Sequence, residues 1–224
     1  IIVKLLEKLG NPQDNLKFIH ITGTNGKGST TTMMANVLKN SGYKVGKFIS
    51  PFIISFNERI QINNVFITDE ELEEYIKIID PIITDMESNG EAPNGFEIIT
   101  AIAFMHYNKN NCDIVCLEVG MGGRLDPTNV ITTTILSIIT VVDFDHTKFL
   151  GNTLQEIAKE KCGIIKKDKI TITYPMQDKS VINTIRKTCM ENNNKLYIPN
   201  LKFLDIIKCN HNISYFSYKG TYYK

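Results

Sequence analysis

The segment from Gly23 to Ser29 constrains the fold of this chain more than any other part of the sequence. It reads Gly-Thr-Asn-Gly-Lys-Gly-Ser and follows a short apolar run at 17–22, which predicts a buried strand. Apolar side chains at helical spacing come after it and stop at a terminating glycine: Met33, Met34, Val37, Leu38 and then Gly42. A glycine-rich loop between a strand and a helix is typical of α/β proteins that bind phosphate groups.

Each residue type in this loop meets one requirement of phosphate binding. Glycines let the backbone approach the ligand closely, and the N–H groups at a helix N-terminus point toward an anion. Lys27 can neutralise the outer phosphates, and the hydroxyl of Ser29 or Thr30 can reach a magnesium ion. Nucleotide contacts are therefore predicted for Thr24, Asn25, Gly26, Lys27, Gly28, Ser29 and Thr30. The usual pattern has four residues between the first glycine and Gly-Lys-Ser/Thr, whereas this loop has two, so an ordinary glycine-rich turn is the alternative.

The rest of the sequence alternates predicted strands with predicted helices. Further strands are predicted at 43–49, 113–119, 135–142, 170–173 and 195–198, with two short extended pieces inside 50–67. Helices are predicted from the capping boxes at Thr68 and Thr153, over the apolar run 96–107, and at 178–192. This order predicts one α/β domain over 1–224, with a mainly parallel sheet flanked by helices. Alternating aromatic residues from 203 onward predict a small antiparallel hairpin near the C-terminus.

Composition excludes some partners. The chain has 25 basic and 24 acidic residues, which gives no electrostatic reason to expect nucleic acid or a membrane surface as a partner. No apolar stretch is long enough to cross a bilayer. The five cysteines form no Cys-x-x-Cys pair, and Cys112 and Cys116 flank an apolar run, which favours buried thiols. We therefore expect a protein of the reducing cytoplasm.

Five sequence motifs, in order from about residue 1 to 190, resemble those of the folylpolyglutamate synthase and dihydrofolate synthase family of the Mur ligase superfamily. The motifs are Thr22-Gly23-Thr24-Asn25-Gly26-Lys27-Gly28-Ser29, Ser50-Pro51 with Phe56-Asn57-Glu58-Arg59-Ile60, the run from Leu117 to Asn129, Asp145-His146-Thr147 with Leu150-Gly151, and Glu160-Lys161-Cys162-Gly163-Ile164. The Gly-Gly-Arg-Leu-Asp segment separates folate ligases from cell-wall Mur ligases. One position departs from the family, which usually has His where this chain has Phe52.

The resemblance implies a Mur ligase central-domain fold and an ATP-dependent ligase. Such an enzyme joins L-glutamate to the carboxylate of a folate or dihydropteroate through an acyl phosphate. The chain starts at Ile1 and ends at Lys224 without the family's C-terminal ligase domain, so we expect an incomplete, monomeric ATP-binding domain that is inactive or nearly so by itself. The alternatives are a Mur-type ligase for a cell-wall precursor and a non-catalytic fragment that binds ATP or folate.

The resemblance also implies two magnesium ions, one bound by Ser50 and Glu118 and a second by His146 near the γ-phosphate. Glu118 ends an apolar strand beside the phosphate loop, which is where a magnesium ligand is expected, although a solvated strand-end acid is the alternative. His146 follows two aspartates in a polar turn. The other three histidines are interpreted as structural: His20, His106 and His211.

Lys161 is predicted to point inward, because it continues the helical spacing of Leu154, Ile157 and Ala158. A buried lysine needs a partner or loses its charge. The ordinary interpretations of Lys161 are therefore an ion pair with a nearby acid, or an aliphatic side chain that extends far enough for its amine to reach water. In the resembling family the matching lysine is carbamylated and supports the second magnesium ion. Lys27, His146 and Lys161 are the predicted catalytic residues.

For the folate, the resemblance points to Phe96, Glu97, Leu125, Asp126 and Pro127. Phe96 could stack on the pterin or aminobenzoate ring, although a core phenylalanine is an equally good interpretation. Two arginines have less specific predictions: Arg124 facing the substrate carboxylate and Arg59 holding a structural turn.

Overall fold

The structure is a computed structural model that describes residues 1–210 and 213–223, so His211 lies outside the described residues. Its main sheet has eight strands in the order β4-β3-β2-β5-β1-β6-β7-β8. The strands are β1 (Phe18–Thr22), β2 (Val45–Phe48), β3 (Ile60–Ile62), β4 (Val65–Phe66), β5 (Ile114–Glu118), β6 (Thr134–Ile139), β7 (Ile170–Thr173) and β8 (Lys195–Tyr197). All pair in parallel except β3 and β4, which confirms the predicted α/β fold.

Among the described residues, seven α-helices accompany this sheet: α1 (Ile2–Lys8), α2 (Lys27–Asn40), α3 (Asp69–Ser88), α4 (Gly95–Lys109), α5 (Thr147–Leu150), α6 (Leu154–Lys161) and α7 (Lys179–Glu191). The predicted capping boxes begin α3 at Thr68 and α6 at Thr153. A third box, which the sequence prediction missed, begins α4 through Asn94 and Glu97. In each box a side chain accepts a free N–H of the first helical turn, which fixes where the helix starts.

In most helices and strands, the buried residues are the apolar ones that the sequence predicts. Helix α4 is buried along most of its length, and Phe104 packs edge-on against Phe18 of β1 at 5.4 Å between ring centroids. Cys112 and Cys116 are buried free thiols, as predicted. No helix in the described part of the chain is long and apolar enough to cross a membrane.

The prediction of one apolar face on α2 was half right. Met34 and Leu38 pack against the buried cluster under the helix, but the side chains of Met33 and Val37 are 61% and 62% exposed. The buried positions facing the sheet are instead the smaller Thr31 and Ala35. Small side chains at i and i+4 let a helix lie close to the strands beneath it.

Residues after the main sheet form a separate three-stranded antiparallel sheet, with strands β9 (Leu204–Cys209), β10 (Ser214–Tyr218) and β11 (Thr221–Tyr223). The predicted hairpin is confirmed, and the third strand is an addition. The predicted site residues lie elsewhere, near the carboxyl edge of the main sheet, where the segments after β1, β2, β5 and β6 meet. Ligands of open α/β sheets bind at this edge.

Candidate functional site

The phosphate loop turns directly from β1 into α2. Gly26 has φ +84°, a left-handed conformation that glycine adopts readily, and Lys27 is the first helical residue. At Gly23 a side chain has no room, since a Cβ would lie 1.7 Å from Thr140 Oγ1. A Cβ on Gly28 would lie 3.4 Å from Glu118 Oε2, so this glycine leaves space between the loop and the carboxylate.

Hydrogen bonds fasten the loop to the end of β6. The Thr24 N–H donates to the Val141 carbonyl at 2.7 Å, and Thr140 Oγ1 donates to the Asn25 carbonyl at 2.8 Å. Thr24 Oγ1 also donates to the Asp143 carbonyl at 2.9 Å. These contacts fix the loop against the end of β6 and bring residues 140–143 beside it.

A cleft of about 680 Å³ lies over the loop. Its lining includes six of the seven predicted nucleotide residues, Thr24 to Ser29, together with Ser50 and Glu118. Thr30 is the exception: it does not line the cleft, and its N–H donates to the Gly26 carbonyl.

Two lysine side chains converge on one carbonyl of this loop. Lys27 Nζ lies 3.1 Å and Lys161 Nζ 2.9 Å from the Gly23 oxygen. Lys161 is 2% exposed, which confirms its inward orientation, and it has no ion-pair partner within 4 Å in the described chain. Burial, reinforced by the charge of Lys27 and opposed by Asp145, lowers the pKa of Lys161 to about 8. Lys27 lines the cleft, whereas Lys161 is buried and contacts the loop at the Gly23 carbonyl. The positive charge beside this carbonyl favours an anion in the cleft.

Glu118 is the buried acid of the cleft. It is 3% exposed, and its Oε2 accepts the Ser50 N–H at 3.1 Å. Burial raises the pKa of Glu118 to about 7, against the opposing effects of the Ser50 N–H and of Lys27. No cluster of three or more His, Cys, Asp or Glu side chains suited to a metal occurs among the described residues. One carboxylate beside a phosphate cradle fits magnesium, because this ion takes most of its ligands from phosphates and water.

His146 stands on the other side of the loop. It has φ +46° and directly precedes α5, and its Nε2 lies 3.6 Å from Asp145 Oδ2. Its ring is half exposed. The structure thus brings Ser50 and Glu118 into direct contact and places His146 apart from them, on the segment that Thr24 fastens to the loop.

A second cavity, of about 480 Å³, adjoins the first, and Ser50 lines both. Four of the five predicted folate residues line it: Phe96, Leu125, Asp126 and Pro127. The fifth, Glu97, does not, because its carboxylate accepts the N–H groups of Ile2 and Asn94. Leu150, Phe149 and Glu160 also line this cavity and were missed, because no local pattern shows that α5 and α6 reach it.

The two arginines with predicted roles, Arg59 and Arg124, both have partners within the protein. The Arg124 guanidinium binds the carboxylate of Glu160, with Nε 3.0 Å from Oε1, so its partner in this structure is a protein acid. Arg59 Nη1 donates to Ser50 Oγ at 3.3 Å, and its guanidinium lies 5.2 Å from the centroid of the Phe52 ring. Phe52 therefore packs on Arg59 by a cation–π contact.

Comparison with known proteins shows which family the chain resembles. The model of the Mur ligase middle domain matches residues 21–214. A dihydrofolate synthase/folylpolyglutamate synthase of Bacillus subtilis is 41% identical over 80% of this chain and 42% of its own length. A dihydrofolate synthetase of Saccharomyces cerevisiae is 42% identical over 84% of this chain and 44% of its own length. The chain thus spans less than half the length of these relatives.

Solved structures of proteins from the same family superpose on this chain. A folylpolyglutamate synthase of Thermotoga maritima superposes with a TM-score of 0.88 at 35% identity, over 96% of this chain and 49% of that one. A solved complex of FPGS with AMPPCP and folate gives a TM-score of 0.90 at 33% identity, over 99% of this chain and 55% of that one. The chain therefore belongs to the Mur ligase middle-domain family and, within it, to the folylpolyglutamate synthase/dihydrofolate synthase group.

Proposed function

We propose that this chain supplies the ATP-binding and folate-binding part of a ligase that joins L-glutamate to a folate or dihydropteroate carboxylate. The observation that carries the proposal is the pair of adjoining cavities that share Ser50. One is a phosphate cradle lined by Lys27 and a buried acid, with the buried Lys161 bonded to the Gly23 carbonyl of the loop. The other is largely apolar, with Phe96 and a single aspartate in its lining. Relatives at about 40% identity carry the names of folate ligases.

In the proposed reaction the folate carboxylate attacks the γ-phosphorus of ATP, and ADP leaves. The resulting acyl phosphate is attacked by the glutamate amine, which forms the amide, releases phosphate and loses a proton. Lys27 and the N–H groups of the loop orient the phosphates, and the wall formed by Phe96 and Pro127 orients the folate ring. Positioning and charge neutralisation supply most of the rate in such transfers.

We propose that Ser50 and Glu118 hold one magnesium ion and His146 a second. Magnesium, when bound, neutralises charge on the β- and γ-phosphates. Lys161 is the proposed site of carbamylation, in which its neutral amine adds carbon dioxide and loses a proton to become a carboxylate. Its burial, its lowered pKa and the lack of an acidic partner within 4 Å in the described chain support this role. An intact mass measured under carbon dioxide tests it, with unchanged mass contradicting it.

The experiment for the proposed function is a glutamate-incorporation assay with a substrate panel. The chain is assayed alone and joined to the C-terminal half of a curated relative, with dihydropteroate, reduced folate and a UDP-muramyl precursor as acceptors. The proposal expects ATP-dependent incorporation into dihydropteroate, reduced folate or both, and only by the joined protein. Incorporation into the muramyl precursor alone supports a cell-wall ligase, and folate binding without incorporation by either protein supports a binding module.

A further inference from the structure

Strand β1 contacts the loop that carries Asp126 through two buried polar side chains. Thr22 Oγ1 donates to the Gly122 carbonyl at 2.6 Å, and His20 Nε2 lies 2.9 Å from Thr128 Oγ1. Both side chains point to the same face, since residues two apart in a strand share a face. Because β1 runs straight into Gly23, one strand supports the phosphate loop and the loop lining the second cavity.

The single hydrogen of the Thr128 hydroxyl determines which group donates in its hydrogen bonds with Asp126 and His20. The Thr128 hydroxyl has one hydrogen, and Asp126 Oδ1 accepts it. The hydroxyl must then accept a hydrogen from His20, which assigns the proton to Nε2. His20 Nδ1, an acceptor in that tautomer, has no hydrogen-bond partner among the described residues.

His20 is neutral in this setting. It is fully buried, and desolvation, with a smaller effect of the Lys166 charge, lowers its pKa to about 3. A neutral imidazole supplies a directed N–H donor to the Thr128 hydroxyl without placing a second charge in the core.

The carboxylate at the other end of this chain of hydrogen bonds is held on both oxygens. Asp126 Oδ1 accepts the Thr128 N–H at 3.0 Å, and Oδ2 accepts the Met121 N–H at 2.8 Å. A Cβ built on Gly120 would lie 3.1 Å from Asp126 Oδ2 and 2.7 Å from the Phe96 ring. The carboxylate and the aromatic ring therefore adjoin the same point of the cavity wall.

We infer that His20 is a positioning residue that acts through Thr128 to orient the Asp126 carboxylate toward N–H groups of a flat heterocycle lying against Phe96. The inference rests on the proposed function, which makes that heterocycle a pteridine. A carboxylate fixed by several donors loses no rotational freedom when it accepts a ligand N–H, so binding is tighter and more directional. A histidine that only fills the core would not require its donor to be kept.

The test is calorimetric titration of pteroate into the chain in the presence of magnesium and AMPPCP, with AMPPCP titrated separately. His20→Leu and Thr128→Val remove the donor or the hydroxyl, whereas His20→Gln and Thr128→Ser keep them. We expect the first pair to weaken pteroate binding roughly tenfold and the second pair to change it by less than about threefold. AMPPCP affinity should stay at the wild-type value in all four variants, and the double variant His20→Leu/Thr128→Val should lose no more than either single one.

Long-range ¹H–¹⁵N spectra of the imidazole give an independent readout and should show the Nε2–H tautomer of His20 between about pH 5 and 8. Wild-type pteroate affinity in His20→Leu and Thr128→Val, or an equal loss of pteroate and AMPPCP, would overturn the inference and leave the proposed function standing. A wild-type chain that binds AMPPCP but no pteroate would refute the pteridine assignment of the cavity, and the inference with it.

Discussion

The two adjoining cavities differ in the chemistry of their linings. The loop from Thr24 to Ser29 supplies six of the thirteen residues that line the phosphate cleft, and the charged groups of Lys27 and Glu118 carry the chemistry of this cleft. The loop after β5 supplies seven of the thirteen residues that line the second cavity, and most of the side chains there are apolar. A function carried by a few charged groups should be lost through single substitutions of those groups, whereas an apolar cavity should lose affinity in smaller steps.

The largest effect is expected from Lys27→Ala. The side chain is the loop's own cation, and its hydrogen bonds within the described chain go to the Gly23 and Thr24 carbonyls. Its removal should therefore take away phosphate stabilisation without disturbing the core. ATP turnover in the joined protein should fall by at least about a hundredfold, with an unchanged thermal unfolding midpoint. Lys39→Ala on the exposed side of α2 is the control and should behave as wild type. Retained turnover in Lys27→Ala would remove the basis of the phosphate-loop assignment.

Gly23→Ala tests whether the loop geometry itself is required. The new methyl group would displace Thr140 Oγ1, which donates to the Asn25 carbonyl and lies 3.2 Å from the Thr22 carbonyl. We expect a loss of up to about 3 kcal/mol in unfolding free energy, measured by urea denaturation, together with loss of ATP binding. Gly95→Ala, where a Cβ meets no atom within 4 Å, is the matched control. Equal stability of the two variants would contradict the close packing described for the loop.

The raised pKa of Glu118 predicts that the stability of the chain depends on pH in magnesium-free buffer. Its folded pKa of about 7 lies above the ordinary value of 4.5, so the folded state holds the proton more tightly than the unfolded state. Stability should therefore fall as pH rises from about 4.5 through 7. Glu118→Gln lacks this slope and should gain about 2 to 3 kcal/mol relative to wild type between pH 5 and pH 8. Parallel pH curves for the two proteins would show that the acid is not buried as described.

Phe96→Ala is expected to have the smallest effect of this series. The ring packs against Phe48 at 5.9 Å between centroids and lines only the second cavity. Pteroate binding should weaken by about tenfold, equal to about 1.4 kcal/mol, while AMPPCP binding is unchanged. Phe144→Ala, at a 58% exposed position, is the control. Equal loss of both ligands would mean that the two cavities do not act separately.

The two cavities also differ in how far the sequence alone could predict them. The phosphate loop is local, so its strand–loop–helix context is visible in consecutive residues. Lys161 is visible through helical spacing alone, because Ile157 and Ala158 mark the buried side of α6. The second cavity was predicted only through the family resemblance.

The features that could not be predicted from the sequence depend on contacts between distant residues. Glu97 caps α4 and accepts the Ile2 N–H, 95 residues away. Arg124 is paired with Glu160 across 36 residues, and no local pattern distinguishes that partner from a substrate carboxylate. The exposed Met33 and Val37 depend on how closely α2 approaches the sheet, which helical periodicity does not report.

The most direct measurement is a crystal structure of the chain with magnesium, AMPPCP and pteroate. The account predicts the nucleotide phosphates at the N–H groups of residues 26–29, the pteridine ring against Phe96 and Asp126, and the pteroate carboxylate directed toward Ser50 and the γ-phosphate. Phosphates bound away from Lys27, or a pteridine ring outside the cavity formed by Phe96, Asp126 and Pro127, would contradict it.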